Sequence, residues 1–276
     1  MTRLDAAKIK RSLTASTARH IHCIEVFSKI NSTNTYLKGQ LPPPSGQFRI
    51  AIAEHQTAGR GRHGRQWIST PGGSLCLSLA YRFPQSSPGF SELYALTLAL
   101  GIAVADALSG IGVAEVKLKW PNDLLVGDAK LGGILTETIT RGDSDVIVIV
   151  GIGLNIEISP DLSKDQDAAW ALSATCLSAV MSEPPSLARL SELVIESLIS
   201  ACRTFAANGF AEYVERFPVY DWLAGKTVVV DTPDSTVEGA AAGIADDGAL
   251  LVDTESGRRE IHAGTIRQVD AAVAEQ

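Results

Sequence analysis

The sequence changes texture at Gly225, and that break limits the fold more than any other feature. Before it, apolar runs of strand length alternate with helical patterns. After it, Lys226 to Val269 holds only short alternating segments. Turn clusters separate them at Asp231-Thr232-Pro233-Asp234, Asp246-Asp247-Gly248 and Glu255-Ser256-Gly257. Close alternation of that kind predicts a small all-β barrel. The leading part predicts an α+β body. Two domains follow, 1–224 and 225–276, which suits a chain of 276 residues when domains run to about 150 residues each.

Within the body, Leu4 to Leu13 has the period of a short helix and Cys23 to Phe27 that of a strand. Ser32-Thr33-Asn34 supplies a cap for the helix holding Tyr36 and Leu37, because such side chains accept from the orphan N–H groups of a first turn. Arg49 to Glu54 and Ser74 to Tyr81 read as strands. The polar, glycine-rich stretch Gln56 to Gly73 between them is too long for a tight turn and is of the kind that is functional or mobile. Ser91 is set to cap Glu92 to Leu108. Val116 to Trp120 and Asp123 to Val126 read as strands around a Pro121-Asn122 turn, followed by Gly132 to Thr140 and Asp145 to Val150, with Gly151 to Asn155 closing the last. Ser159 to Pro185 reads as a loop with a short helix, then Leu187 to Phe205 and Gly209 to Phe217 as helices.

Composition excludes several classes. Lys plus Arg is 24 against 31 Asp plus Glu, a net charge of −7, which argues against sequence-independent nucleic-acid binding. The most apolar run, Leu93 to Ala105, falls short of the roughly 18 residues that a membrane span needs. Arg3, Asp5, Lys8, Lys10 and Arg11 are not followed by an apolar stretch, so no secretory leader is expected. Cys23, Cys76, Cys176 and Cys202 have no metal-ligand or disulfide spacing, and no His-Glu-x-x-His pattern is present, so no protein metal cage is expected. A reducing, cytoplasmic setting follows.

The stretch Gly59-Arg60-Gly61-Arg62-His63-Gly64-Arg65-Gln66-Trp67 carries the chemistry. Its spelling matches Gly-x-Gly-x-x-Gly, but no helix pattern follows, and no acid occurs between Glu54 and Glu92 to meet a ribose. The dinucleotide reading fails. What remains is three arginines separated by glycines. Guanidinium groups hold carboxylate or phosphate in a fork, and glycine lets backbone N–H groups approach an anion. A solvated basic loop is the plain alternative; the near absence of neighbouring acids favours an anion site.

Lys119-Trp120-Pro121-Asn122-Asp123, Lys130-Leu131-Gly132-Gly133 and Gly151-Ile152-Gly153-Leu154-Asn155 read singly as a hairpin, a solvated lysine and a strand-terminal turn. In one order with Ser32-Thr33-Asn34 and Glu54 to Trp67, they resemble the biotin protein ligases, the biotin–[acetyl-CoA-carboxylase] ligases. The resemblance runs from about Leu4 to Val269.

That resemblance implies an α+β, mixed-sheet, class II synthetase-like catalytic domain with a small C-terminal SH3-like β-barrel. It implies ATP-dependent attachment of biotin to one lysine of a biotin carboxyl carrier protein through biotinyl-5′-AMP, with Mg²⁺ arriving on ATP. Ser32, Thr33, Asn34 and Gln56 then match biotin contacts, and Arg60, Gly61 and Arg62 the loop that folds over biotin and its adenylate. Lys130 matches the lysine at the reacting carboxyl and phosphate. Arg62 and Lys130 are the expected main charge stabilisers. Arg65 matches a residue used for ATP or pyrophosphate, Trp67 one facing adenine, and Asn155 a nucleotide-side asparagine. Asn122 and Asp123 fall near the phosphates, where Asp123 would help hold Mg²⁺ or orient the acceptor lysine. His63 occupies a variable slot and receives no role. Some members carry an N-terminal winged-helix domain of about 60–70 residues and repress genes. Only about 30 residues precede Ser32 here, so a form without operator binding is expected. Monomer and homodimer both stay open.

Two rival readings stand beside it. A lipoate–protein ligase or lipoyl transferase shares the broad fold, but the Gly59 to Trp67 motif argues against it. A non-enzymatic regulator that binds biotin without turnover is weakened by the missing DNA-binding segment.

Overall fold

The computed structural model describes residues 4–84, 93–141, 145–157 and 173–271. In the N-terminal part lie α1 (Ala6–Ser12), α2 (Ala15–Ala18), β1 (Ile21–Phe27), α3 (Thr33–Lys38), β2 (Phe48–Ala53), β3 (Gly59–Arg60), β4 (Gln66–Trp67) and β5 (Ser74–Arg82). They are followed by α4 (Leu96–Gly110), β6 (Val116–Lys119), β7 (Asp123–Val126), β8 (Ala129–Arg141) and β9 (Asp145–Asn155). Seven of these strands form one mixed sheet in the order β1-β2-β5-β9-β8-β7-β6. β1 and β2 run parallel, and the other neighbours run antiparallel.

Alternation gives this sheet two different faces. Leu75, Leu77, Leu79, Val148, Val150, Ile152 and Leu154 point to one side and join the main hydrophobic cluster. There α4 lies under α6 (Leu187–Asn208). α4 is apolar nearly all round because both of its sides are covered, and Gly101 brings it against Leu118. α6 buries only one stripe, Leu190, Val194, Ile195, Leu198, Ile199, Cys202 and Phe205, at helical spacing. Ser186 caps it by accepting from Arg189 N at 3.3 Å, and Gly209 at φ 70 ends it.

The opposite face carries small residues at its centre: Ala51 on β2, Cys76 and Ser78 on β5, and Gly151 and Gly153 on β9. Register places Cys76 beside Gly153 and Ser78 beside Gly151. Small side chains there leave room above the sheet, roofed by α3 and by the β3–β4 hairpin.

The C-terminal strands are β10 (Lys226–Asp231), β11 (Thr236–Ile244), β12 (Leu250–Thr254), β13 (Gly257–Ile261) and β14 (Thr265–Ala271). They form a five-stranded antiparallel, SH3-like sheet in the order β13-β12-β11-β10-β14. Its Val228, Val230, Leu250 and Val252 belong to the same hydrophobic cluster as the main sheet. Trp120 Nε1 donates to Gly248 O at 3.2 Å across the junction.

Three expectations change. β9 does not stop at Val150 but runs through Gly151-Ile152-Gly153-Leu154-Asn155, because those glycines still pair with β5 and β8. Gly209 to Phe217 is not one helix; α7 (Ala211–Val214) ends and α8 (Phe217–Tyr220) restarts with Pro218 in its first turn, where proline's missing N–H costs nothing. Helix α4 is described from Leu96, while Ser91 and Glu92 lie outside the described residues, as does most of the Ser159 to Pro185 segment. Gln56 to Gly73 is not simply a loop: Gly59 pairs with Trp67 and Arg60 with Gln66.

Candidate active site

All thirteen residues singled out from the sequence line one cavity of about 220 Å³ above the small-residue face. Local structure explains how they meet. Ser32 caps α3, its side chain accepting from Thr35 N at 3.4 Å, so Thr33 and Asn34 enter the helix pointing down at the sheet. Gln56 follows β2, and its backbone N donates to Ser69 Oγ at 3.0 Å. His63 sits at φ 54 inside the tight Arg62–Gly64 turn that folds the hairpin back. Its pKa is lowered by burial and by Arg62 and Arg65.

The cavity has a neutral end. Thr33 N and Thr33 Oγ1 donate to Gln56 Oε1 at 2.7 and 3.0 Å. Thr33 Oγ1 also meets Ser78 Oγ at 2.6 Å, and Ser78 Oγ donates to Asn34 Oδ1 at 2.6 Å. A Cβ at Gly151 would overlap the Asn34 amide, so this amide can lie flat on the strand only over glycine.

The other end is cationic. Lys130 Nζ lies 2.6 Å from Asp123 Oδ1. Lys130 is held by the chain on both sides, donating from its N to Ser173 O at 2.7 Å and accepting from Thr175 N at 2.9 Å. Asn122 is pinned to β8, its Nδ2 donating to Ile134 O at 3.0 Å. Arg62 reaches over from the hairpin, with Nη1 3.5 Å from Asn122 Oδ1 and Nη2 3.5 Å from Gly264 O. Burial, then Arg65, lowers the Arg62 pKa, and Asp123 opposes this. Trp120 and Pro121 are joined by a cis peptide bond.

A third side faces Trp67 and Asn155. The Trp67 ring lies on Gly153 so closely that a Cβ there would strike it. Asn155 is 1% exposed and donates from Nδ2 to Thr175 O at 3.0 Å, while its Oδ1 is buried without a hydrogen-bond partner among the described residues. A buried acceptor left open in a cavity is suited to a ligand donor.

Lys119 was missed. It lines the cavity at 4% exposure. Burial is the main cause that brings its pKa down to about 8; Asp123 opposes, and Lys130, Arg65 and Lys226 add to the fall. In strand alternation Lys119 shares a side with Lys117, so the pattern reads it as solvated. Thr265 and Ile266, from the C-terminal sheet, also line the cavity, a placement that no local signal carries. Among the described residues no group of three or more His, Cys, Asp or Glu is placed to hold a metal ion. No described helix is long and apolar enough to cross a membrane.

A cavity with an uncharged hydrogen-bonding end and a cationic end can hold a neutral ring system whose acid tail points at phosphates. Known proteins resemble this chain in sequence and in fold. Residues 26–155 match the biotin/lipoate A/B protein ligase family, and residues 224–267 the biotin protein ligase C-terminal domain. The chain is 34% identical over 251 residues to the biotin–[acetyl-CoA-carboxylase] ligase of Mycobacterium tuberculosis, covering 88% of each. It is 32% identical over 235 residues to the bifunctional ligase/repressor BirA of Escherichia coli, covering 84% of this chain and 70% of that one. The biotin protein ligase of Aquifex aeolicus in complex with biotin and ATP superposes with a TM-score of 0.74 at 26% identity, over 90% of this chain and 99% of that one. With the sequence relatives, the two matched regions and the fold in agreement, this protein belongs to the biotin protein ligase family.

Proposed function

We propose that this cavity joins biotin to ATP and passes the biotinyl group to a lysine of a biotin carboxyl carrier protein. The observation that carries it is the single cavity with one neutral and one cationic end. Biotin's urea ring needs both donors and acceptors, and Thr33, Asn34, Gln56 and Ser78 offer both. A dithiolane ring needs neither, which favours biotin over lipoate as substrate.

In the first step a biotin carboxylate oxygen attacks the α-phosphorus, an O–P bond forms, and the bond to pyrophosphate breaks. Negative charge gathers where two anions meet. Arg62 and Lys130 are cations for that charge, both half-buried and already oriented at the cavity wall, which is the arrangement that lowers such a barrier. Lys130 exchanges its Asp123 partner for the incoming anions, and Arg60 and Gly61 cover them. Arg65 lies on the pyrophosphate side, Trp67 against adenine, and the open Asn155 Oδ1 toward a donor of the nucleotide. ATP would bring Mg²⁺, toward which Asn122 and Asp123 would present oxygen atoms; a magnesium ion held this way keeps most of its water. In the second step the ε-amine of the acceptor attacks the acyl carbon of biotinyl-5′-AMP, AMP leaves, and the amine loses a proton. Asp123 is placed to orient that amine. The net charge of −7 argues against a second role on nucleic acid through charge alone. The cysteines Cys23, Cys76, Cys176 and Cys202, spaced neither as a metal site nor as a disulfide framework, suit a reducing cytoplasm.

Biotin-dependent ATP–pyrophosphate exchange tests this reading. Arg62→Ala and Lys130→Ala should each slow exchange by about 10²-fold or more with the fold intact, and excess lipoate should leave the wild-type rate unchanged. Near-normal exchange in both variants would remove the mechanism.

A further inference from the structure

The neutral end of the cavity does not stop at Asn34. Asn34 Nδ2 donates to Glu137 Oε2 at 2.8 Å, and the other oxygen, Oε1, lies 2.5 Å from Lys38 Nζ. Glu137 comes from β8, two residues beyond the cavity-lining Leu135, and Lys38 from the last turn of α3. One chain of contacts therefore runs Lys38, Glu137, Asn34, Ser78, Thr33, Gln56, across α3, β8, β5 and the segment after β2.

The direction of that chain follows from what each group can do. A carboxylate only accepts, so Asn34 must turn its Nδ2 to Glu137 and its Oδ1 to Ser78. An amide oxygen only accepts, so Ser78 spends its one proton on Asn34. In the 2.6 Å contact between Thr33 and Ser78, Thr33 is then the donor. Its single proton is shared between Ser78 and Gln56 Oε1, and both lone pairs of Thr33 Oγ1 stay open to accept. Were Asn34 reversed, Ser78 would donate to Thr33 and take up one of those lone pairs. The pair Lys38–Glu137 is itself partly exposed, at 34% and 22%, so it adds little to stability; orientation is what it supplies.

We infer that Glu137, braced by Lys38, is a positioning residue that sets the hydrogen-bond polarity of the urea end of the cavity. It does so through the Asn34 amide, Ser78 and Thr33, so that acceptors face the N–H groups of the ring. This rests on biotin being the substrate and adds to it a determinant outside the cavity wall.

The test is direct binding of biotin and of desthiobiotin, which keeps the urea ring and lacks the sulfur, to wild type, Glu137→Gln and Lys38→Met. A glutamine can donate to Asn34 and permit the reversal. Glu137→Gln should raise Kd by about tenfold for both ligands alike, while kcat at saturating biotin and KM for ATP stay within twofold. Lys38→Met, which removes the ion pair from a half-exposed side chain, should raise the same two Kd values by a smaller factor. Unchanged Kd values in folded Glu137→Gln, or a loss that falls equally on ATP, would overturn the inference. Failure of the wild type to bind either ligand would instead overturn the biotin reading itself.

Discussion

A lysine in water stays charged well past neutral pH, but Lys119 has been taken out of water and placed near Lys130 and Arg65, so its charge is lost near pH 8. The sign is set by which form is charged: the ammonium is present below that pKa and disappears as pH rises through it. If Lys119 helps to attract phosphates, kcat/KM for ATP, which reports the free enzyme, should fall as pH rises through about 8. Lys119→Arg should flatten that limb, because guanidinium keeps its charge. A wild-type profile level from pH 7 to 9.5, or a limb that survives Lys119→Arg, would leave Lys119 without this role. The contrast with Arg62 and Lys130 shows what single residues reveal. Arg62 stands in a run of arginines and glycines that marks an anion contact, whereas Lys130 reads alone as solvated and gains its role only from its place in the order of motifs. Lys119 stands in an ordinary strand pattern, and only the fold reveals that its side of β6 is covered. Glu137 was equally hidden: its partner Asn34 is distant in sequence, and a glutamate on an alternating strand reads as solvent-facing.

At the scale of elements, the glycines of β9 show the same division. Glycine is a poor strand former, so Gly151 and Gly153 read as the end of a strand. They lie inside it, still paired on both sides, because neighbours need their space: Asn34 lies over Gly151 and Trp67 over Gly153. The caps and turns were legible because their rules are local, as at Ser32 and in the Asp246-Asp247-Gly248 turn. Close approach across a sheet is not local. Gly153→Ala should therefore cost about 1–3 kcal/mol through overpacking, since a Cβ would strike the Trp67 ring. Thermal melting should show the loss, and the tryptophan emission should shift as the ring is displaced. Gly110→Ala is the control: a Cβ there meets nothing within 4 Å, so Tm should hold or rise slightly. Equal melting of Gly153→Ala and wild type would mean that the ring moves aside freely and does not form a fixed wall of the cavity.

The whole molecule raises the question of whether the C-terminal sheet is a passenger or a part of the site. Its texture in the sequence marked it as separate, yet four observations join it to the body. Its inward valines and leucines share one hydrophobic cluster with the main sheet. Trp120, in the segment that also carries Asn122 and Asp123, donates to Gly248 O, and Tyr94 meets His262 edge-on at 5.2 Å. Arg62 spans to Gly264 O, beside the cavity-lining Thr265 and Ile266. A core shared in this way should break as a unit. Urea unfolding should give coincident transitions by far-UV circular dichroism and by tryptophan fluorescence. Trp120→Phe keeps most of the apolar bulk and leaves the Gly248 carbonyl without its donor, so the unfolding free energy should drop by about 1–3 kcal/mol, the midpoint should move to lower urea, and the two probes should still agree. Separation of the curves, with the C-terminal sheet melting first in the wild type, would show two independent units. The Arg62 contact would then have to form only once ligand brings them together.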